Sequence, residues 1–137
     1  MRILIDTDVL LDLALDRAPH AEAASRVLER VENGAVSAVV AWHTISNLYY
    51  LLASFADRKK ALNFIRDLIG IVEVAPTGTA ALRTALNLGM NDFEDAMQVA
   101  AALAAGVDVI VTRNVGDFRK APLRAIRPAD LVFPERE

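Results

Sequence analysis

Asp6 and Asp8 stand directly behind a short apolar run, Ile3-Leu4-Ile5. Far downstream, three more acids fall together in Asn91-Asp92-Phe93-Glu94-Asp95-Ala96. A second apolar run, Val109-Ile110-Val111, ends in Thr112-Arg113-Asn114 and is followed by Gly116-Asp117-Phe118. Acids delivered by separate segments to the ends of apolar runs suit a divalent-metal site, because hard cations are held by several oxygens. The chemistry this serves is metal-assisted hydrolysis. Two ions about 3.5–4 Å apart can act on both ends of an in-line displacement at phosphorus. The chain has no cysteine, and its two histidines, His20 and His43, are far apart. A metal here would be held by oxygen, which favours Mg²⁺ or Mn²⁺.

The elements that must position these acids follow from the apolar patterning. Residues 2–5 read as a buried strand. Leu10, Leu11, Leu13, Ala14 and Leu15 predict a short helix that stops near Pro19. Residues 20–33 predict a helix with Ala24, Val27, Leu28 and Val31 on one face, ended by Asn33-Gly34. A strand is expected over 35–41. A helix from Thr44 to Phe55 follows, with Ile45, Leu48, Tyr49, Leu52 and Phe55 inward, and Tyr50 and Leu51 widening the face. Asp57 is expected to cap the next helix, which ends near Gly70. Strands are expected at 71–74, 108–112 and 123–126, and helices at 77–88 and 92–105. Strands alternating with helices imply a parallel sheet covered on both faces. In such sheets ligands bind beyond the carboxyl ends of strands, where strand order reverses.

At 137 residues the chain is expected to form one domain, 1–137, with a substantial core. No apolar stretch reaches the roughly 18 residues that span a membrane. Met1-Arg2-Ile3-Leu4-Ile5-Asp6 is too short and too soon acidic for a signal peptide, so a cytoplasmic location is expected. A net charge of -3 argues against a simple basic nucleic-acid binder, though not against an enzyme whose metals offset its acids.

These residues resemble the PIN domain, a family of metal-dependent ribonucleases that includes the VapC-type toxins. The resemblance covers nearly the whole chain. It rests on Ile5-Asp6-Thr7-Asp8-Val9-Leu10, on Asp95-Ala96 before an alanine-rich helix, and on Val111-Thr112-Arg113-Asn114 with Asp117-Phe118. It implies a three-layer α/β/α fold with a parallel five-stranded sheet in the order 3-2-1-4-5, which sets strands one and four side by side. It implies Asp6, Asp95 and Asp117 as catalytic and metal-holding acids. The supporting residues would be Asp92, Glu94, Asp8, Asn47, Thr112 and Asn114. Two positions depart from the family pattern. Asn47 stands where a glutamate is usual, and Asn114 where an aspartate is usual. These amides remove two negative charges, so one well-occupied ion and a conditional second are expected. The implied function is an endoribonuclease, the toxin of a toxin–antitoxin pair. The implied partners are RNA, an antitoxin protein and a second copy of the chain.

Other readings weigh on the same residues. Asn91 and Asp92 are expected to cap a helix, and Asp8 is favoured as the cap of the first helix over a ligand. Asp12 and Asp16 are expected on a solvated face. Trp42, Tyr49 and Tyr50 are expected to pack rather than stack on bases, and His43 to be structural. Arg113, Arg119 and Lys120 lie in a basic segment that can contact phosphates. The two Asn departures leave an alternative: a catalytically weakened PIN module that binds RNA or a protein partner. Asp6-Thr7-Asp8 also resembles the first motif of haloacid-dehalogenase-like phosphatases. There, however, a lysine precedes the late acids, and here Lys120 follows Gly116-Asp117.

Overall fold

In the computed structural model, residues 1–131 are described. The last residues of the expected domain, 132–137, lie outside the described residues. Five strands form one parallel sheet, β1 (Arg2–Ile5), β2 (Ser37–Val40), β3 (Glu73–Val74), β4 (Val109–Val111) and β5 (Arg124–Ile126), in the order β3-β2-β1-β4-β5. The helices are α1 (Thr7–Ala14), α2 (Ala21–Glu32), α3 (Trp42–Phe55), α4 (Arg58–Ile69), α5 (Thr79–Asn87) and α6 (Phe93–Ala104).

The side-chain alternation of the central strands builds the layers. Ile3 and Ile5 of β1, Ala38 and Val40 of β2, and Val109 and Val111 of β4 face one core, shared with α1 to α4. Leu4, Val39 and Ile110 face the other, against Val99, Ala101 and Ala102 of α6 and Phe118. Successive strand residues point to opposite faces, so a strand buried on both reads as an unbroken apolar run. α5 packs on α6 through Ala85, Ala96 and Ala100. Alanine at these positions lets α5 and α6 lie close together.

The expected helices and strands are present, with shifted ends. α1 begins at Thr7, not near Leu10, because the Asp6 carboxylate accepts the Thr7 N–H at 2.8 Å and caps the helix. Asp8, expected as that cap, lies inside the first turn and is engaged elsewhere. Asp57 caps α4 by accepting from the Lys60 N–H at 2.8 Å. Gly34 (φ +82°) and Gly106 (φ +67°) close α2 and α6 in the left-handed region that a side chain disfavours.

Expectations about burial are overturned at Trp42, Tyr50, Phe55 and Asp12. Trp42 is 71% exposed and Tyr50 and Phe55 also lie in solvent. α3 starts at Trp42, straight after β2, and the residues it buries are Thr44, Leu48 and Leu52, spaced one turn apart. That narrow stripe turns Trp42, Tyr50 and Phe55 outward. Tyr49 does pack against the core, its ring edge-on to Tyr50 at 5.4 Å between centroids. Asp12, expected on a solvated face, is 1% exposed. Its carboxylate receives the Arg113 Nε at 2.6 Å and the Arg17 Nε at 3.0 Å. Two guanidinium groups compensate the cost of burying it. Asp16 is exposed as expected.

Candidate active site

Strand order reverses between β1 and β4, so the crevice beyond their carboxyl ends is open to a ligand. Asp6 continues β1 into this crevice, and its N–H donates to the Val111 carbonyl at 2.9 Å. The Asp6 side chain is held on both oxygens. Thr112 Oγ1 donates to Oδ2 at 2.8 Å, while the Thr7 N–H and Gln98 Nε2 donate to Oδ1 at 2.8 and 3.2 Å. Gln98 Nε2 also donates to Thr44 Oγ1 at 2.9 Å, and Thr7 Oγ1 to Thr44 Oγ1 at 3.2 Å. Asp6, Thr7, Thr44, Gln98 and Thr112 are all buried. They form one polar network inside the protein, and hydrogen-bonded polar groups are the kind an interior tolerates.

Gln98 and Thr44 are the members of this network that sequence reasoning misses. A glutamine on the otherwise apolar face of α6, three residues after Asp95, is the signal that could have found the first. Thr44 sits on the buried stripe of α3, where a polar residue is equally out of place.

Asp8 joins the strand-four side of the crevice. Its Oδ2 accepts from the Arg113 N–H and Asn114 Nδ2, both at 3.1 Å, and lies 3.4 Å from Thr112 Oγ1. Its Oδ1 is buried without a hydrogen-bond partner. Asn114 is thus a donor to an acid. Asn47 behaves alike, donating through Nδ2 to Glu94 Oε1 at 2.8 Å and joining α3 to the first turn of α6.

Asp92 caps α6 by accepting from the Asp95 N–H at 2.9 Å. Asp95 lies one turn before Gln98 on the same helix. With Asn91, Asp92, Asp117, Arg119 and Lys120 it lines a cleft of about 340 Å³. Asp117 is carried by a short 3₁₀ turn, Val115–Phe118, whose Phe118 is anchored in the core. The guanidinium of Arg113, by contrast, is committed to Asp12.

The electrostatics mark the crevice as crowded with negative charge. Burial, then the neighbouring Asp8 charge, pushes Asp6 up to about 6. Burial, followed by the charges of Asp92, Asp6, Asp117 and Glu94, pushes Asp95 up to about 7. Asp8 is also raised, chiefly by burial. Among the described residues, no three acids or histidines converge closely enough to wrap an ion as they stand. The donor set nonetheless fits a hard cation. It is all oxygen, it is mutually repelling, and Asp8 Oδ1 is a buried carboxylate oxygen that no donor satisfies. Mg²⁺ commonly keeps several waters and takes only one or two carboxylates directly, which dispersed acids can provide.

The sequence pattern of the PIN domain family matches residues 2–116. Among characterised proteins, the chain is similar to Ribonuclease VapC1 of Aquifex aeolicus, 24% identical over 118 residues that cover 82% of this chain and 81% of that one. Among solved structures it resembles VapBC2 from Rickettsia felis bound to a promoter DNA fragment (TM-score 0.73, 14% identity, 93% of this chain and 98% of that one). It also resembles VapC20 of Mycobacterium tuberculosis, a Sarcin-Ricin loop cleaving toxin (TM-score 0.70, 18% identity, 92% and 99% of the two chains). At these identities the structural likeness speaks for the fold, and it agrees with the strand order seen here. With its family pattern matched over most of its length and its acids set at the β1/β4 crevice, this chain belongs to the PIN domain family.

Proposed function

We infer that the chain is an endoribonuclease that hydrolyses RNA phosphodiester bonds with a divalent ion, and that it serves as the toxin of a toxin–antitoxin pair. The observation that carries the chemistry is the raised acid pair. Asp6 and Asp95 approach one crevice from a strand end and a helix start, and both are made reluctant to ionise by burial and by neighbouring acids. Such a pair gains most when a cation takes the place of protons. Mg²⁺ or Mn²⁺ would be held by Asp6, Asp95 and Asp117, with Asp8, Asp92 and Glu94 in support. A bound ion supplies an activated water and charge stabilisation at the phosphate.

The protein's own residues set the geometry. Thr112 and Gln98 fix the Asp6 carboxylate by a bond to each oxygen. Asn47 fixes Glu94, and Asn114 fixes Asp8. Arg119 and Lys120 line the same cleft as Asp95 and Asp117 and would receive the phosphates that flank the scissile bond. The toxin role is supported by the relative's name and by the VapBC assemblies that share the fold. A protein antitoxin and a second copy of the chain are the partners that role brings. No helix among the described residues is long and apolar enough to cross a membrane.

The deciding experiment is cleavage of structured and unstructured RNA with Mg²⁺, Mn²⁺ or chelator, comparing wild type with Asp6→Asn. Metal-dependent cleavage that the substitution lowers by about a hundred-fold or more is expected, since removing a charge-stabilising group commonly costs that much. Equal activity in both proteins would refute the assignment.

The basic wall has its own test. Reversing both charges, Arg119→Glu with Lys120→Glu, should weaken RNA binding and flatten its salt dependence. Each phosphate no longer neutralised lowers the log–log slope by about 0.7 for a single strand. Calorimetric Mn²⁺ uptake should not be abolished. A slope equal to wild type would remove these two residues from the RNA path.

A further inference from the structure

α3, α5 and α6 enclose a second recess, of about 170 Å³. Its floor is made of small or slender apolar side chains, among them Ala41, Ala81, Met97 and Ala101. No carboxylate lines it. At its rim stand the first two residues of α3. Trp42 is 71% exposed, an unusual state for the largest apolar side chain in a well-packed domain. His43 beside it has its Nε2 buried without a hydrogen-bond partner.

The recess lies near the acids of the crevice, because Glu94 acts electrostatically on Asp6 and Asp95 as well as on His43. Glu94 is close enough to His43 for its charge to act on the imidazole, and the same Glu94 is bonded to Asn47 one turn further along α3. Met97 and Ala101 are on α6, which also carries Asp95 and Gln98 into the crevice. A strand whose phosphate lies among the acids therefore has a neighbouring nucleotide within reach of this recess. The recess suits a flat aromatic ring: an apolar slot with an exposed indole beside it. Protein recognition of single-stranded RNA relies on these elements, with bases splayed out, stacked on aromatic rings and hydrogen-bonded along their edges.

We propose that this recess is a nucleobase subsite, in which Trp42 stacks on an unpaired base next to the scissile phosphate. The proposal rests on the ribonuclease reading for its substrate. It makes Trp42 a determinant of whether an unpaired nucleotide is accepted, and it favours loops and single strands over duplex.

Trp42 is the chain's one tryptophan, so its emission reports on this position alone. The test titrates wild-type protein with a single-stranded oligoribonucleotide of about ten residues, within the usual span of such sites. A chelator is present so that the RNA stays intact, and the same sequence as a duplex is the comparison. Saturable quenching by the single strand, and little by the duplex, is expected. Affinity for labelled single strand should fall about 5- to 100-fold in Trp42→Ala, the range typical of removing one stacked base, and stay within about 3-fold in Trp42→Phe. Quenching that is absent, or equal for duplex and single strand, overturns the subsite. So does emission that changes with protein concentration alone while Trp42→Ala dissociates an assembly in sedimentation, because Trp42 would then be covered by a second copy of the chain. If the Ala variant does not fold, wild-type quenching and the Phe variant decide. Failure of wild type to cleave any RNA with any metal would defeat the ribonuclease reading and leave the quenching result to judge the subsite on its own.

Discussion

Asp95→Asn is expected to abolish metal-dependent RNA cleavage, by about a thousand-fold, and at the same time to make the metal-free protein more stable at pH 8. The two effects have one cause. Asp95 is pushed up to about 7 by burial and by Asp92, Asp6, Asp117 and Glu94. Its folded-state value therefore lies above that of the unfolded chain, the reverse of a paired carboxylate. Between about 4 and about 7 the folded protein binds more protons than the unfolded one, so stability falls as pH rises through that window. Above it, the folded protein must keep a charge in a place that resists charge. Asparagine has nearly the same shape without the charge, and the penalty disappears. Because Asp95 is partly exposed and screened by water, the gain is limited to about 1–2 kcal/mol, at roughly 3–4 °C in Tm per kcal/mol for a chain of this size.

Divalent ions should distinguish the two proteins further. Saturating Mn²⁺ at about a hundred times its Kd would stabilise wild type by about 2.7 kcal/mol through mass action. Asp95→Asn should show little of that shift. Thermal melts at pH 5 and pH 8, with and without Mn²⁺, measure all three quantities. A variant that is less stable than wild type at pH 8, or that still gains fully from Mn²⁺, would show that Asp95 is not held under electrostatic strain.

Asp12→Ala carries the largest expected loss of stability. Asp12 is 1% exposed and receives Arg113 and Arg17 at once. Removing the acid leaves two guanidinium groups facing a small void. Breaking a buried ion pair from one side commonly costs about 3–5 kcal/mol. Arg113 and Arg17 keep 31% and 39% of their side-chain exposure, so water softens the loss. About 2–4 kcal/mol is expected, a fall of roughly 6–15 °C in Tm. The effect reaches the site, because the backbone N–H of Arg113 donates to Asp8 and the next residue, Asn114, donates to it again. RNA cleavage should therefore fall several-fold even at temperatures where the variant is folded. Asp12→Asn should be intermediate, since an amide still accepts one bond from each arginine. A Tm within 2 °C of wild type for Asp12→Ala, on this roughly 3–4 °C per kcal/mol scale, would mean that the two arginines find water as good a partner.

Those two residues show what is and is not legible in the chain. The strands announce themselves because a parallel strand buried on both faces is an unbroken apolar run. The helices announce themselves through caps such as Asp57 and Asn33-Gly34. Strand order does not come from patterning. It comes from the family resemblance, and the observed β3-β2-β1-β4-β5 sheet agrees with it. Asp95 stands out because acids gather at the start of α6. Asp12 does not, because an acid within a short apolar helix looks the same whether it meets water or two arginines that lie far apart in sequence. Gln98 and Thr44 escape for a related reason, since their partners lie on other elements, Asp6 and Thr44 for Gln98, and Thr7 and Gln98 for Thr44. Trp42 is expected to pack because size favours burial. Which face of α3 turns inward is decided by the neighbouring helices, and they select Thr44, Leu48 and Leu52.

The amides of Asn47 and Asn114 have a meaning beyond the charges they remove. Each ties an acid of the crevice to another segment, Glu94 to α3 and Asp8 to the stretch behind β4. With carboxylates at both positions, an empty site would drive those segments apart and only the arriving ion could draw them together. With amides, the crevice holds its own shape. On the metal-dependent reading proposed above, chain folding and ion capture would be separable events, the crevice being shaped before any cation arrives.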